Sequence, residues 1–460
     1  MRDHSKKHQA APTVGQGRDG DGAEPVPSAL PGHITDFVLH VEAFRKVTPI
    51  LSQIPIIISE DLQKQIESFV PPKNRKSPLK YIMDNEKDLT LQQQHEILGH
   101  LRHMGHYSTL AGRMPSMLLA AIIAEVEILI ADTLRWAFQK KSELVGSIKR
   151  KIDVSDIKNY KYIREVIDLF VDKEIDEFLR MSPKMQVESI ESLFNAELLC
   201  ALPNQADFFE IFCRRNAIMH AGGCASRQYI EDLQKIKYPK SKMPSLGDRL
   251  FIDPDYFNNA SSLIQNFFSL LAFRISWQLS PESRIAHDRW PAQYVYDQVM
   301  HKDYKTAVQF CEMITKMGYI FKDSKAKYRF IINHAQALKW SGSVQACESL
   351  LSKTEWDVVT AEYRICALVL LNKFEEAAKV LNQMGRSGKI NYENICSWPV
   401  FREARENDVF VGVVERVFEK KLTVLPEVPG PLTRQARRQT QAATRKSTPA
   451  SGRRPRGKTH

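Results

Sequence analysis

The chain has few of the features that mark secreted, disulfide-bonded or membrane-spanning proteins. Its seven cysteines are spread singly and form no C-x-x-C pair, so neither a zinc ribbon nor a disulfide framework is indicated. The N-terminal sequence MRDHSKKHQAAPTVGQG has no apolar core of signal-peptide length. The most apolar stretch, residues 117–134, contains the acids Glu125, Glu127 and Asp132, which would be costly inside a bilayer. We therefore expect a cytoplasmic protein with no membrane segment.

The body of the chain also has little net charge. The sequence has 65 Lys and Arg against 54 Asp and Glu, a formal charge of +11. Nine of the basic residues lie between Arg434 and His460, where there is no acid, so the remainder has 56 basic and 54 acidic residues. A nucleic-acid site in the body must then be a local patch rather than a property of the whole surface.

Composition and periodicity divide the chain into five parts. Large apolar residues are scarce in residues 1–30 and 426–460, which predicts disordered tails, the second of them basic. Residues 34–110 have a helical pattern that is interrupted at Pro71-Pro72. Residues 116–280 are typical of a helical bundle and residues 290–425 of shorter, paired helices. No segment has a convincing strand pattern, so we predict an all-α fold.

The predicted bundle has five helices. The first extends from Met117 to about Glu143 and is apolar around more than half its circumference, as expected of a helix inside a bundle. Three more are expected near residues 160–180, 183–200 and 205–220. The last begins at Asp253-Pro254 and continues through Leu279, with the aspartate as N-cap and the proline in the first turn.

Three segments of the C-terminal part share one pattern. YKTAVQFC, VQACESLL and FEEAAKVL align with Tyr304, Val344 and Phe374 in register, at separations of 40 and 30 residues. This region resembles a degenerate array of tetratricopeptide repeats, whose period is about 34 residues. Stacked helix pairs of that kind form a concave surface for a peptide or protein partner. A plain helical bundle is the alternative.

The segment FCRRNAIMHAGG carries the strongest functional signal. Arg215 and His220 are separated by four residues, Asn216 follows the arginine, and two glycines are expected to end the helix after the histidine. A permanently charged guanidinium and an imidazole that titrates near neutral pH suit chemistry on a phosphodiester. Arg329 and His334 have the same spacing, but Phe330 occupies the polar position, so we interpret that match as packing.

This segment, preceded by long apolar helices and followed by one more, resembles the motif of the HEPN superfamily, whose ribonucleases carry Arg-x4-6-His with a polar residue after the arginine. The resemblance covers roughly residues 116–280. It implies that Arg215, Asn216 and His220 are catalytic, that two chains form a homodimer across one cleft, and that neither a metal nor a cofactor is required. We also expect Arg214 to contact RNA.

On this resemblance the protein is a metal-independent endoribonuclease in which the repeats sense a cue or bind a partner, as in toxin or phage-defence systems with a similar layout. Some family members carry a tyrosine two residues after the histidine that a partner enzyme modifies. That position is Gly222 here, so this form of control is not expected. Two alternatives remain: a non-catalytic adaptor that dimerises and binds protein or RNA, and an RNA-binding protein without cleavage.

Several charged or titratable groups have two interpretations each. Glu125, Glu127 or Asp132 could orient the motif, or could lie at the rim of the bundle. The basic loops 148–153 and 235–242 could contact RNA phosphates, or could be solvated. Four histidines fall on one face of a predicted helix and could bind a transition metal or face solvent: His95, His100, His103 and His106.

Overall fold

The computed structural model describes residues 32–141, 143–144 and 160–424, and helices dominate it. Helix α1 (Gly32–Ser68), the short α2 (Pro78–Asp84) and the long α3 (Leu91–Lys140) come first. The bundle continues with α4 (Ile163–Leu179), α5 (Pro183–Phe194), α6 (Gln205–His220), α7 (Arg227–Lys235) and α8 (Pro254–Leu279). The predicted all-α fold is confirmed for the described residues, whose one extended pairing is an isolated bridge between Cys224 and Arg249. The tails predicted at 1–30 and 426–460 and the loop 148–153 lie outside these residues.

Helix α3 differs from the sequence prediction at its start. The sequence predicts a helix from Met117, but α3 runs unbroken from Leu91 with Pro115 inside it. A proline inside a helix removes one backbone hydrogen bond. Here the ring is buried and α1 packs along α3, which compensates for that loss. Residues 34–110 and 116–280 are therefore not separated where the composition suggested.

The N-terminal half of α1 belongs to the bundle core. Ile34, Phe37 and Val41 recur at helical intervals and are buried in the same apolar cluster as α3 and α8. Farther along, α1 ends at Ser68, just before Pro71-Pro72, and the predicted interruption is confirmed there. The helical N-terminal region therefore begins as part of the bundle.

Helix α8 is the central helix of the bundle. It begins at Pro254 with Asp253 as the N-cap, accepting from the backbone amide of Tyr256 at 2.8 Å, and it ends at Leu279, as the sequence predicts. Most of its residues are buried, so its polar side chains need hydrogen-bond partners inside the protein. Gln265 donates to the hydroxyl of Tyr294 at 2.9 Å, and that hydroxyl donates to Asn266 at 2.7 Å.

The C-terminal part is built from paired helices. Three pairs follow one another: α9 (Arg284–Met300) with α10 (Tyr304–Lys316), α11 (Ser324–Trp340) with α12 (Val344–Ser352), and α13 (Ala361–Leu370) with α14 (Phe374–Met384). Two short helices follow, α15 (Tyr392–Ser397) and α16 (Asp408–Phe418).

The three pairs are joined by the same turn. Tyr304, Val344 and Phe374, which the sequence aligns, are each the first residue of the second helix of a pair. Two positions earlier the backbone is left-handed in every pair: φ is 61° at Lys302, 94° at Gly342 and 59° at Asn372. The residue after it donates its amide to a carbonyl five residues back, at 2.9 Å in all three pairs. The sequence register thus corresponds to a repeated helical hairpin.

The packing of this part does not divide at residues 280–290, where the composition changes. Helices α9 and α10 belong to the core of the bundle, to which they contribute Val295 and Phe310. The change of core falls within α11, where Phe330 packs on the bundle side and Ile332 on the side of the last two hairpins. The composition predicted the boundary between bundle and hairpins too early in the chain. The first hairpin has the same sequence pattern as the later ones, although it packs on the bundle.

Candidate active site

Helix α6, which carries the motif, is anchored firmly at both ends. Asn204 caps its N-terminus by accepting from the amides of Ala206 and Asp207. Phe208 packs on Phe267 of α8, with ring centroids 4.7 Å apart. At the other end the helix stops at His220, and Gly222 and Gly223 follow with φ of 65° and 80°. The helix end predicted from the two glycines is confirmed.

The motif side chains lie near the exposed end of α6, whose buried part is mainly residues 208–212. Asn216 and His220 are exposed, whereas Arg215 exposes 24% of its side chain. The Nη2 group of Arg215 donates to Glu127 Oε1 on α3 at 3.2 Å. The Nε atom of Arg215 is buried and has no hydrogen-bond partner within the described part of the chain. The arginine is therefore held from one side only.

Among the three acids in the apolar stretch of α3, Glu127 is the one that contacts the motif within the described residues. Glu125 pairs instead with His40 at 2.8 Å, and Asp132 pairs with Arg135 at 3.2 Å. Glu127 exposes 46% of its side chain, so water screens its ion pair with Arg215, which contributes about 1 kcal/mol or less to stability. The contact orients Arg215 without burying it.

One chain does not bring Arg215 and His220 onto the same face. The backbone is helical through His220, so side chains five residues apart leave α6 in directions about 140° apart. No hydrogen-bond or ion-pair partner of His220 is present in the ranges that the structure describes. The imidazole is thus free to meet a group from outside this chain.

Arg214 occupies a different environment from its neighbour. Its Nε donates to Glu210 Oε1 at 2.7 Å, and its Nη1 donates to the carbonyl of Phe251 at 2.8 Å. Its guanidinium carbon lies 4.3 Å from the ring centroid of Tyr256. Only 19% of the side chain is exposed. Arg214 therefore helps to hold the bundle together. Only the small exposed part of its side chain is accessible for the predicted contact with RNA.

Glu210, which the sequence interpretation overlooked, is the centre of this internal network. Its side chain is 3% exposed and accepts from three groups: Arg214, Tyr229 at 2.6 Å and Tyr256 at 2.7 Å. Burial, and after it the Glu210 carboxylate, raises the pKa of Tyr229 and of Tyr256, so both phenols stay protonated and donate. An arginine four residues after an acid in the apolar run FFEIF was the available signal.

The segment after α7 returns to the end of the motif helix. Leu250 donates its amide to the carbonyl of Gly223 at 2.8 Å, and Ala225 donates to Asp248 at 2.8 Å. In the basic loop 235–242, Lys235 pairs with Asp232 and Lys242 with Asp207. Two of the lysines predicted to face RNA phosphates are thus partly neutralised by acids of the same chain.

The second Arg-x4-His match has the structure of a packing site. His334 lies on α11, and burial lowers its pKa to about 4. Its ring lies 6.2 Å from that of Phe330. The interpretation of this match as packing is confirmed.

The histidines predicted on one face of a helix lie in the first half of α3. His95, His103 and His106 are exposed there, and the rings of the last two are 6.2 Å apart. Within the described ranges, no group of three or more His, Cys, Asp or Glu side chains is placed to hold a metal ion. Within the same ranges, no helix combines the length and apolar character needed to cross a membrane.

Comparison of the chain with protein-family models, with curated proteins and with solved structures finds no significant match. The likeness to the HEPN superfamily therefore depends on the motif residues and on the bundle around them. The likeness of the C-terminal hairpins to tetratricopeptide repeats depends in the same way on their register.

Proposed function

We propose that this protein is a metal-independent endoribonuclease of the HEPN type that acts in the cytoplasm. One observation carries the proposal: a helix whose middle, residues 208–212, is buried in the bundle ends by presenting Asn216 and His220 to solvent, with the partly exposed Arg215 beside them. Exposed titratable and permanently charged groups on a rigid element are what phosphodiester cleavage needs.

The chemistry follows from the two side chains. In RNA the 2′-hydroxyl next to the scissile phosphate attacks phosphorus when a base removes its proton, and the 5′-oxygen leaves when an acid donates one. An imidazole can act as a base or as an acid near neutral pH, so His220 would carry one of these two protons. The guanidinium of Arg215 would bind two phosphate oxygens and stabilise the charge that grows on them. Asn216 would orient the phosphate or the histidine.

A complete site requires a second copy of the chain. Because Arg215 and His220 leave α6 about 140° apart, one motif cannot supply an arginine, a base and an acid to one phosphate. Apolar side chains next to the motif support a two-fold contact. Ile128, which follows Glu127, exposes 54% of its surface, and Met219, which precedes His220, exposes 55%. A homodimer would cover both and bring two motifs to one cleft.

The helical hairpins are proposed to control the cut. Their first pair packs on the bundle that carries the motif, so a protein or peptide bound to the later hairpins would act on the same body. This arrangement resembles toxin and phage-defence proteins in which a sensing region governs a nuclease. We propose the repeats as the partner-binding surface.

A non-catalytic adaptor is the second candidate, and the ion pair between Arg215 and Glu127 favours it. An arginine whose charge is already balanced within its own chain can serve folding alone. In that case the dimer and the hairpins would be the functional surfaces and the motif a structural remnant. Incubation of purified protein with end-labelled RNA in excess EDTA separates the two candidates.

The endoribonuclease should cut in EDTA and leave 2′,3′-cyclic phosphate ends, because the substrate supplies the nucleophile. His220→Ala protein is the control for contaminating nucleases. Intact RNA in all lanes would support the adaptor. Fragments with 5′-phosphate ends that disappear on addition of the chelator would refute the proposed mechanism.

A further inference from the structure

An open cavity of about 410 Å³ lies beside the motif helix, bounded by α6, α7 and the segment that follows α7. Its wall combines cationic and aromatic side chains: Arg214, Lys242, Arg249, Tyr229, Tyr238 and Phe251. The acid on this wall is Asp248. The volume is that of a small-molecule site, and the combination of flat rings with cations suits a ligand that has both a π face and a negative charge.

Phe251 is the unusual member of this wall. It exposes 67% of its surface, although a phenylalanine of this size is normally covered. Its backbone is nevertheless fixed, because its carbonyl accepts from Arg214 and the amide of Leu250 is bonded to Gly223. A large exposed aromatic ring on a backbone that is fixed by hydrogen bonds is available as a stacking surface.

Arg249 supplies a charge next to that surface. Its guanidinium carbon lies 5.7 Å from the centroid of the Phe251 ring. The other cations of the wall have carboxylate partners: Arg214 pairs with Glu210, and Lys242 lies 3.4 Å from Asp207. Arg249 has no such partner among the residues that the structure describes. It is the cation of this cavity whose charge is available to a ligand.

The cavity is close to the motif along the backbone. Arg249 bridges to Cys224, and Leu250 is bonded to Gly223, three residues after His220. Three residues span at most about 11 Å. Successive phosphates of an RNA strand lie closer together than this, so a strand with one nucleotide in the cavity would bring a phosphate one or two positions away to the motif.

We propose that this cavity binds one unpaired nucleotide of single-stranded RNA, with its base stacked on Phe251 and its phosphate bound by Arg249. The inference rests on the proposed function, because it assigns part of the substrate site of the same enzyme. A base inside a duplex is already stacked on its neighbours and cannot reach a ring in a cavity. The protein therefore selects loops and single strands, and its own cavity fixes the nucleotide beside the cut.

The test measures RNA binding in a protein that does not cut. His220→Ala protein is titrated into a fluorescein-labelled single-stranded 12-nucleotide RNA and into the duplex of the same sequence, with fluorescence anisotropy as the readout. Adding Phe251→Ala should weaken binding to the single strand by roughly 5- to 100-fold, the range for loss of one stacked base, and should leave binding to the duplex unchanged. Phe251→Trp should preserve the affinity.

Two further variants separate stacking from general adhesion. Leu246 exposes 61% of its surface on the same segment, so Leu246→Ala is the matched control and should not change the affinity. Arg249→Ala should weaken binding and reduce the slope of log affinity against log salt by about 0.7, the value for one phosphate contact on a single strand. Circular dichroism melting verifies that each variant is folded.

The outcomes distinguish this inference from the proposed function. If the wild type cuts RNA with 2′,3′-cyclic ends but Phe251→Ala binds the single strand as tightly as its parent, the nucleotide cavity is refuted and the enzyme stands. Equal losses for Phe251→Ala and Leu246→Ala would also refute it. If the wild type neither cuts nor binds any RNA, both proposals fail.

Discussion

Glu127 on α3 accepts a hydrogen bond from Arg215 on α6 at 3.2 Å, across 88 positions of sequence. The contact joins the longest helix of the bundle to the motif and leaves the Nε atom of the arginine buried without a partner in the described chain. A phosphate that binds Arg215 must therefore compete with a carboxylate that is already in place. A substrate phosphate has either to displace Glu127 from Arg215 or to share the guanidinium with it.

The charge of Glu127 should limit substrate affinity. Glu127→Gln keeps a carbonyl oxygen that can accept from Arg215 but removes a negative charge 3.2 Å from the guanidinium. We expect KM for RNA to fall by roughly 2- to 5-fold, the effect of losing up to about 1 kcal/mol of repulsion at an exposed site, with little change in stability. Steady-state kinetics at low salt measures the effect. An unchanged KM would mean that Glu127 does not face the bound phosphate.

The motif residues should carry the catalytic rate. Arg215→Ala and His220→Ala should each reduce cleavage by at least about a hundredfold, the usual scale for loss of an acid-base group or of a charge-stabilising donor. His334→Ala is the matched control, since it belongs to the same Arg-x4-His spacing on α11 and should cut at nearly the wild-type rate. If cleavage survives in the first two variants and is lost in the third, the chemistry does not belong to Arg215 and His220, and the present assignment is wrong.

A composite site predicts interference between chains. Mixing excess His220→Ala with wild-type protein and allowing the dimers to exchange should lower activity below the value for simple dilution, because each heterodimer has one damaged cleft. Ile128→Asp with Met219→Asp should give a monomeric mass by light scattering and lose cleavage, because charges would be placed in the proposed contact. Linear dilution together with full activity of a monomer would exclude the shared cleft.

Glu210 should be a major determinant of stability. Glu210→Ala removes the carboxylate partner of Arg214 and leaves the Nε of Arg214 and the hydroxyls of Tyr229 and Tyr256 without their acceptor inside the protein. Removing one partner of a buried ion pair costs about 3–5 kcal/mol. Urea denaturation measures the free energy of unfolding. Glu127→Ala, which breaks a half-exposed pair, is the comparison and should lose about 1 kcal/mol or less; equal losses would contradict the burial argument.

The burial of His334 should make stability depend on pH. Its pKa is lowered to about 4 in the folded protein, below the ordinary value of about 6.5 that it regains on unfolding. The unfolded chain therefore binds the proton first, and stability is lost as pH falls from about 6.5 towards about 4, by at most about 3 kcal/mol. His334→Leu removes this contribution. Thermal melts of the two proteins at pH 7.5 and pH 4.5 should show a smaller pH effect in the variant.

Local signals were sufficient to predict the positions of several helices. The Asp253-Pro254 start of α8, the glycines after α6 and the register of Tyr304, Val344 and Phe374 are each determined by residues within one or two turns. The start of α3 was not predictable in this way. A proline normally ends a helix, and only the packing of α1 along α3 shows why Pro115 does not.

In the candidate site, too, local features could be predicted from the sequence and features that depend on tertiary packing could not. The residues around the two Arg-x4-His matches were sufficient to interpret the second as packing, because Phe330 lies where the first match has a polar residue; the catalytic role of the first match stays a prediction. Three acids within two turns of α3 were candidates for orienting Arg215 or His220, and the sequence could not single out Glu127, since the choice depends on how α3 and α6 are placed. The exposure of Phe251 was equally invisible, because the backbone that fixes it is bonded to Gly223, distant in sequence.

Helix α11 is shared by two cores, and this has a consequence for how such a protein can evolve. Phe330 packs with the bundle and Ile332 packs with the later hairpins. Both cores therefore depend on side chains of this one helix. Recombination at residues 280–290 would separate Val295 and Phe310 from the bundle and expose apolar surface on both products. An exchange of the C-terminal hairpins leaves the bundle core intact only when it begins beyond α11, because none of the described residues past that helix belongs to the bundle core.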